Sequence, residues 1–276
     1  MGTLPQRLQT NRMVTMNNSY QIVLALCLTM ALATVACGDE SSALQADSGA
    51  LPDAAMATDA GIGSDAAALP HPGFGAISGE CDVLDDELTS DMSGFFRLAL
   101  DFDRLYTDGD LGMLTPGGQE IIADGNAGGS SVLSEVFAFE ALQRCEDAAL
   151  LKTENEIVYD TQGKITDFLA EIDGGKIGVS VTRAVAFPFA DPYPLASAQE
   201  LLSGKLADVL VSSANVSSAD RWTKQILAVL AYSPAHADVL FQAYQGLDSA
   251  ISADTLVVVI VTNGADDFIY CNGLCE

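Results

Sequence analysis

The sequence predicts an α/β domain in which helices flank a mixed β-sheet. Three observations carry this. Residues 255–262, TLVVVIVT, form an unbroken apolar run rich in β-branched side chains. Such a run fits a strand buried on both faces, which requires helices over both sides of its sheet. Residues 165–172 and 176–182 are strand-like and are joined by Asp173-Gly174-Gly175, a hairpin signal. Segments of helical periodicity stand between the strand-like runs.

In chain order, residues 84–108 read as a helix with Phe95, Phe96, Leu98, Leu100 and Leu105 as its apolar positions. Residues 109–129 are glycine-rich and read mostly as loop. Ser130 or Ser131 then caps a helix reaching about Cys145, with Val132, Leu133, Val136, Phe137, Phe139 and Leu142 facing the core. Residues 155–159 read as a strand and precede the hairpin. A helix over 198–206, a short strand over 208–212 and a helix over 219–231 follow. Ser233 caps another helix, with Pro234 in its first turn, running to about Ser249.

The N-terminus carries a different message. Arg7 and Arg12 precede an uncharged apolar run, residues 22–36, that ends at Cys37. The order of basic region, apolar region and small residues is that of a secretory signal. The run is shorter than the roughly 20 residues of a membrane-spanning helix. Thr34-Val35-Ala36-Cys37 resembles the bacterial lipobox, with threonine where leucine is expected. The resemblance implies cleavage before Cys37 and an acylated cysteine. It also implies a protein lipid-anchored in a bacterial cell envelope, at the outer membrane, with its domain in the periplasm or at the cell surface. Ordinary secretion with a plain thiol at Cys37, and an uncleaved anchor, are the alternatives.

Removal of residues 1–36 would take two arginines and no acids, moving the formal net charge from −26 to −28. Ten basic residues then remain and form no patch. Phosphate backbones and anionic headgroups are therefore poorly matched partners. The membrane through a lipid, and an unidentified protein, are the partners expected. Residues 37–80 are rich in Ala, Asp, Gly and Ser and contain no Lys, Arg, Trp or Tyr. They read as a disordered tether spanning roughly 35 Å. Residues 81–276 are long enough for one domain with its own core.

Cys81, Cys145, Cys271 and Cys275 remain after signal removal and lipidation. An even number outside the cytoplasm implies two disulfides. Three pairings are open. The favoured one has Cys271 and Cys275 each reaching back, one to Cys81 and one to Cys145. A local Cys271–Cys275 bridge competes with it, and a four-cysteine zinc site lacks paired ligand spacing.

Three blocks carry a family resemblance: Ser134-Glu135-Val136-Phe137-Ala138-Phe139-Glu140, then Leu150-Leu151-Lys152-Thr153-Glu154-Asn155-Glu156, then KITDFLAEIDGGKIGVSVTRA from Lys164. They resemble a widespread, uncharacterised family over roughly residues 118–270. That pattern also resembles the PD-(D/E)XK (restriction-endonuclease-like) core. There a helical Glu precedes a hairpin bearing first Asp and then Glu-x-Lys. The resemblance implies Glu135 and Asp167 as metal ligands for Mg or Mn, with Ser180-Val181-Thr182 in the Glu-x-Lys place. Neither hydroxyl replaces a carboxylate or an ammonium. Glu171, sharing a strand face with Asp167, and Lys205 or Arg183 could substitute, although Arg183 should face away from Thr182. The plainer reading has Asp167 hydrogen-bonded to Ser180 or Thr182.

Other candidates are thinner. Asp101, Asp103, Asp108 and Asp110 crowd one segment without EF-hand spacing and read as a solvated helix end. His71 lies in the tether, His236 has no nucleophile evident beside it, and Trp222 reads as core. The resulting expectation is a membrane-anchored lipoprotein whose degenerate nuclease-like domain binds or scaffolds. An exported metal-dependent nuclease or phosphodiesterase with a migrated site is the alternative, and an acidic inhibitor protein a third.

Overall fold

The computed structural model describes residues 69–71, 73–127, 131–189 and 191–271. The signal, Cys37, most of the tether and Cys275 lie outside the described residues.

The strands are β1 (Leu69–His71), β2 (Gly75–Gly79), β3 (Gly94–Phe102), β4 (Ala149–Thr153), β5 (Phe168–Ile172), β6 (Gly175–Ala184), β7 (Lys224–Ala231) and β8 (Leu256–Gly264). The helices are α1 (Pro116–Asp124), α2 (Val132–Cys145), α3 (Leu195–Asn215), α4 (Pro234–Gln245), α5 (Ser249–Ser252) and α6 (Asp267–Cys271). The strands form one mixed sheet in the order β1-β2-β3-β8-β7-β6-β5-β4. Its centre, β3-β8-β7-β6, is parallel, and antiparallel pairs extend it at both sides. The expected α/β class with a mixed sheet and flanking helices holds.

Strand alternation divides the core. Val258 and Ile260 of β8, Ala228 and Leu230 of β7 and Val179 of β6 face one layer, where Phe137 and Leu142 of α2 and Phe268 of α6 cover them. Val257 and Val259 of β8 and Leu227 and Val229 of β7 face the other, under Leu202 and Leu206 of α3 and Leu240 of α4. A period of two buried on both sides explains why β8 has no polar alternation.

The hairpin forms where expected. Ile172 pairs with Gly175, so Asp173 and Gly174 are the two loop residues. Both have positive φ, 50° and 75°, as an Asp-Gly turn of the mirror-image type requires. Gly178 is needed for another reason: a Cβ there would meet the Trp222 indole at 2.6 Å. Trp222 is buried, as expected, with Ile157, Leu169 and Val216. Ser131 and Ser233 occupy the N-cap positions of α2 and α4, and the Ser233 side chain accepts from the His236 amide.

Several expected elements differ. Residues 94–102, expected helical, are β3, and residues 224–231, expected helical, are β7. Leu98, Leu100 and Phe102 satisfy a period of two as well as an i, i+4 spacing, and β7 is buried on both faces, which erases alternation. The expected strand at 208–212 lies inside α3, whose stripe Ala198, Leu202, Leu206 and Val209 has helical spacing. Residues 155–159 contribute only an isolated bridge, Tyr159 to Val216, while the strand lies just before them as β4. The glycine-rich stretch holds α1, capped by the Thr115 hydroxyl accepting from Gly118.

The boundary at Cys81 also moves. Residues 69–71 and 75–79, expected as tether, are β1 and β2, and Phe74 and Ile77 are fully buried. His71, placed in the tether by composition, is 1 % exposed and packs against Phe74, Phe102 and Phe137. Its Nε2 lies 3.5 Å from Oε2 of Glu140. Glu140 also accepts from the Thr115 amide and hydroxyl and from Arg144.

The favoured disulfide pairing is overturned. Cys81 is bonded to Cys145, with Cα atoms 4.6 Å apart. Cys271 is also disulfide-bonded. The Cys81 bridge joins the segment after β2 to the end of α2. Beside it the buried Glu146 carboxylate accepts from the amides of Asp82 and Leu84. Burial pushes Glu146 up to about 7. The bridge spans a sequence separation of 64 residues. Replacing both Cys81 and Cys145 by serine should therefore destabilise the domain by about 4 kcal/mol in denaturant titrations. An unchanged midpoint would show that the bridge contributes nothing.

Candidate functional site

The site grows from a mismatch in strand length. β6 spans ten residues and β5 only five, so pairing stops at Phe168 with Val179. Beyond that point no strand among the described residues lies beside the β6 edge, and its backbone needs other partners. Asp167 supplies one. Its amide donates to the Val179 carbonyl, and its Oδ2 accepts from the Val181 amide at 2.6 Å. Thr166 supplies another contact, its hydroxyl 2.9 Å from that of Ser180. Asp167 thus bonds to the Val181 backbone rather than to Ser180 or Thr182, a correction to the plainer sequence reading.

Glu135, Glu154 and Lys205 act on Asp167 or are acted on by it, and Arg183 acts on Glu135. Glu135, on α2, is 2 % exposed; it accepts from Ser131 Oγ at 3.0 Å and also from Asn126. Burial, with repulsion from Asp167 and Glu154 and opposition from the two hydrogen bonds, pushes it up to about 7. Glu154, just after β4, is buried, accepts from the Ala127 amide and is raised by burial. Asp167 is pushed up to about 6, first by burial and then by Glu154, against the pull of the Val181 amide and of Lys205 on α3. Arg183 lies across the sheet from Thr182, as expected, and its Nη1 donates to the carbonyl of Ile269 at 2.9 Å. Burial lowers its pKa while Tyr270 and Glu135 support its charge.

Glu135 lies within electrostatic range of Asp167, and so, separately, does Lys205. Glu154 joins them. Glu154 stands in the second family block, and Arg183, named beside Lys205 as a candidate cation, acts on Glu135 from the strand face opposite Thr182. Glu171 does not join. It is exposed near the hairpin turn, opposite Lys176 in the strand register. Four residues of strand separate it from Asp167 by about 13 Å. Ser180 and Thr182 alternate with the α2-facing Val181 and so lie on the α3 side of β6.

Among the described residues no three His, Cys, Asp or Glu side chains stand close enough to hold an ion. Elsewhere, Asp110 is drawn into two hydrogen bonds from Arg104, at 2.8 and 2.9 Å, and is held far below the usual carboxylate range. His236 does have a hydroxyl beside it: Ser233 Oγ is 2.7 Å from Nδ1. That serine is also the α4 cap, which accounts for the contact without nucleophilic chemistry.

No family model matches the chain. The AAC-rich mRNA clone AAC4 protein of Dictyostelium discoideum is 41% identical over 153 residues, which is 53% of this chain and 22% of that protein. The chain thus spans about a fifth of that relative's length. A solved structure, Pyrococcus furiosus SfsA in complex with Ca2+, is similar over 48% of this chain and 55% of that one, at 14% identity and a TM-score of 0.25. At that score it carries no argument.

Glu135 and Asp167 both have folded-state pKa values above their unfolded ones. The folded chain therefore binds more protons, and stability contributed at low pH is lost as pH rises from about 4 to 7. Glu135→Gln should match the wild type at pH 4 and exceed it by about 3 kcal/mol at pH 8, read from denaturant midpoints. A gap that does not change with pH would mean that Glu135 titrates normally.

Proposed function

We propose that the chain is an exported, lipid-anchored protein whose domain has a nuclease-like core and acts by binding rather than by cleaving. The order α2, β4, β5, β6, α3, β7 supports the nuclease-like core: a helix bearing Glu135 precedes a hairpin that carries Asp167 and then Ser180-Val181-Thr182. The observation that carries the binding role is the state of that hairpin. Serine and threonine stand in the Glu-x-Lys place, the Ser180 hydroxyl is engaged by Thr166, and the Asp167 carboxylate is engaged by the Val181 amide. The groups a nuclease would spend on chemistry hold the strand edge together instead. The acidic surface supports a protein partner over a nucleic acid one.

A second reading is favoured by Lys205 and Glu154. Both act electrostatically on Asp167 and could stand for the missing Lys and Glu in a migrated site of an exported nuclease or phosphodiesterase.

Two measurements test these readings. The oxidised chain, offered single- and double-stranded DNA and RNA with Mg or Mn, should cut none of them. Cutting that disappears in Asp167→Ala, with the fold retained, would install the second reading. In a bacterial host an acyl label such as palmitate should attach to the chain and vanish in Cys37→Ala. A label that persists in the variant would remove the lipid anchor.

A further inference from the structure

A groove of about 360 Å³ lies between α1, α2 and the start of β4, one strand beyond β5 at the end of the sheet. Its floor is apolar. Phe139 of α2 is buried and set edge-on against Phe168, with ring centres 5.6 Å apart, and Leu150 of β4 packs against the same core. Pro116 and Ala148 extend this surface. Gly117 lets α1 sit directly on the floor: a Cβ there would meet the Phe139 ring at 2.5 Å and the Leu150 Cβ at 3.0 Å. The volume suits a small molecule.

The walls carry charge of one sign. Glu120 of α1 and Asp147 of the turn after α2 are both exposed, and among the described residues no Lys, Arg or His lines the groove. The amino end of α1 also lies here, and a helix amino end ordinarily attracts an anion. In this protein that role is filled from inside. Glu140 is fully buried and accepts from the Thr115 amide at 2.7 Å and the Thr115 hydroxyl at 2.6 Å, and a Cβ at Gly118 would run into its Oε1. Burial would raise the Glu140 carboxyl, but contacts from His71, Thr115 and Arg144 outweigh it and hold the group below its usual range, so it is charged at neutral pH. Gly118 itself donates to the Thr115 hydroxyl, and Pro116 has no amide hydrogen. An anion entering the groove would face Glu120 and Asp147 with the helix end already neutralised. An alkyl chain along Phe139 and Leu150, with one ammonium toward Glu120 and another toward Asp147, satisfies floor and walls together. Its methylenes cover apolar surface while its charged ends stay in water.

We propose that this groove is a binding site for a linear aliphatic diamine. The inference rests on the groove beside β4 and not on the Asp167 hairpin, so it stands or falls apart from the cleavage assay and the acyl labelling. The test is NMR titration of the oxidised full chain at low ionic strength with cadaverine, pentylamine, pentanol and pentanoate. Cadaverine should saturate with a Kd on the order of 10 mM, the range of a ligand this small, with shifts centred on Gly117, Phe139 and Leu150. Each exposed carboxylate–ammonium pair contributes about threefold, so pentylamine should bind about threefold and pentanol about tenfold more weakly. Glu120→Gln combined with Asp147→Asn changes two exposed positions, and asparagine suits the positive φ of 48° at position 147. That double variant should weaken cadaverine about tenfold, to the level of pentanol. Four results would each overturn the proposal: shifts spread over the acidic surface instead of the groove, pentanol or pentanoate binding as tightly as the diamine, cadaverine no tighter than pentylamine, or affinity unchanged in the double variant.

Discussion

The unequal length of β5 and β6 is the constraint on which the site depends. A strand edge in a half-buried place cannot leave its amides and carbonyls without partners. Because β5 stops at Phe168, the next β6 amide on that edge, Val181, must be met by a side chain, and Asp167 meets it. That bond fixes a carboxylate at the sheet edge, where burial and the neighbouring Glu154 raise its pKa. Glu135 then stands near a second acid in a dry place and is raised further. One short strand thus accounts for the acidic cluster.

The sheet on which this edge sits is held by doubly buried parallel strands. Residues 256–262 of β8 are buried throughout, and β7 is buried along its whole length. Fully burying a Val, Leu or Ile side chain contributes about 1.5–3 kcal/mol, so these two strands anchor the domain. Substitutions there would act on the whole fold. Those at Glu135 or Asp167 act locally and, for Glu135→Gln, favourably at high pH. The two buried carboxyl groups in this sense lower stability at high pH.

How much was legible in the sequence follows from what each segment packs against. The run at 255–262 was readable because β-branched residues without polar interruption leave few alternatives. The Asp173-Gly174 turn was readable because its backbone demands those residue types. β7 was misread because a strand buried on both faces has no alternation, and β3 because its buried positions fit two periods. β1 and β2 were hidden by composition: Ala, Gly and Ser around Phe74 and Ile77 read as tether, and only pairing with β3 makes them strands. Asp167 and Lys205 are legible only through the family resemblance, which places an aspartate on the hairpin and calls for a cation near it. Glu154 is not legible as a site residue, because its approach depends on where β4 ends. The cysteine pairing was likewise beyond local pattern, since Cys81 and Cys145 are neighbours only once β2 and α2 have docked.

The central claim is that the uncovered β6 edge holds two carboxyl groups in an environment that resists ionisation. Carbon-13 NMR titration of the Glu135 and Asp167 side-chain carboxyls tests it directly, with Asp167→Asn and Glu135→Gln for assignment. The account predicts midpoints of about 7 for Glu135 and about 6 for Asp167, with Glu135 falling when Asp167 is neutralised. Midpoints near 4 for both, indifferent to one another, would contradict it, since the two groups would then be solvated and apart.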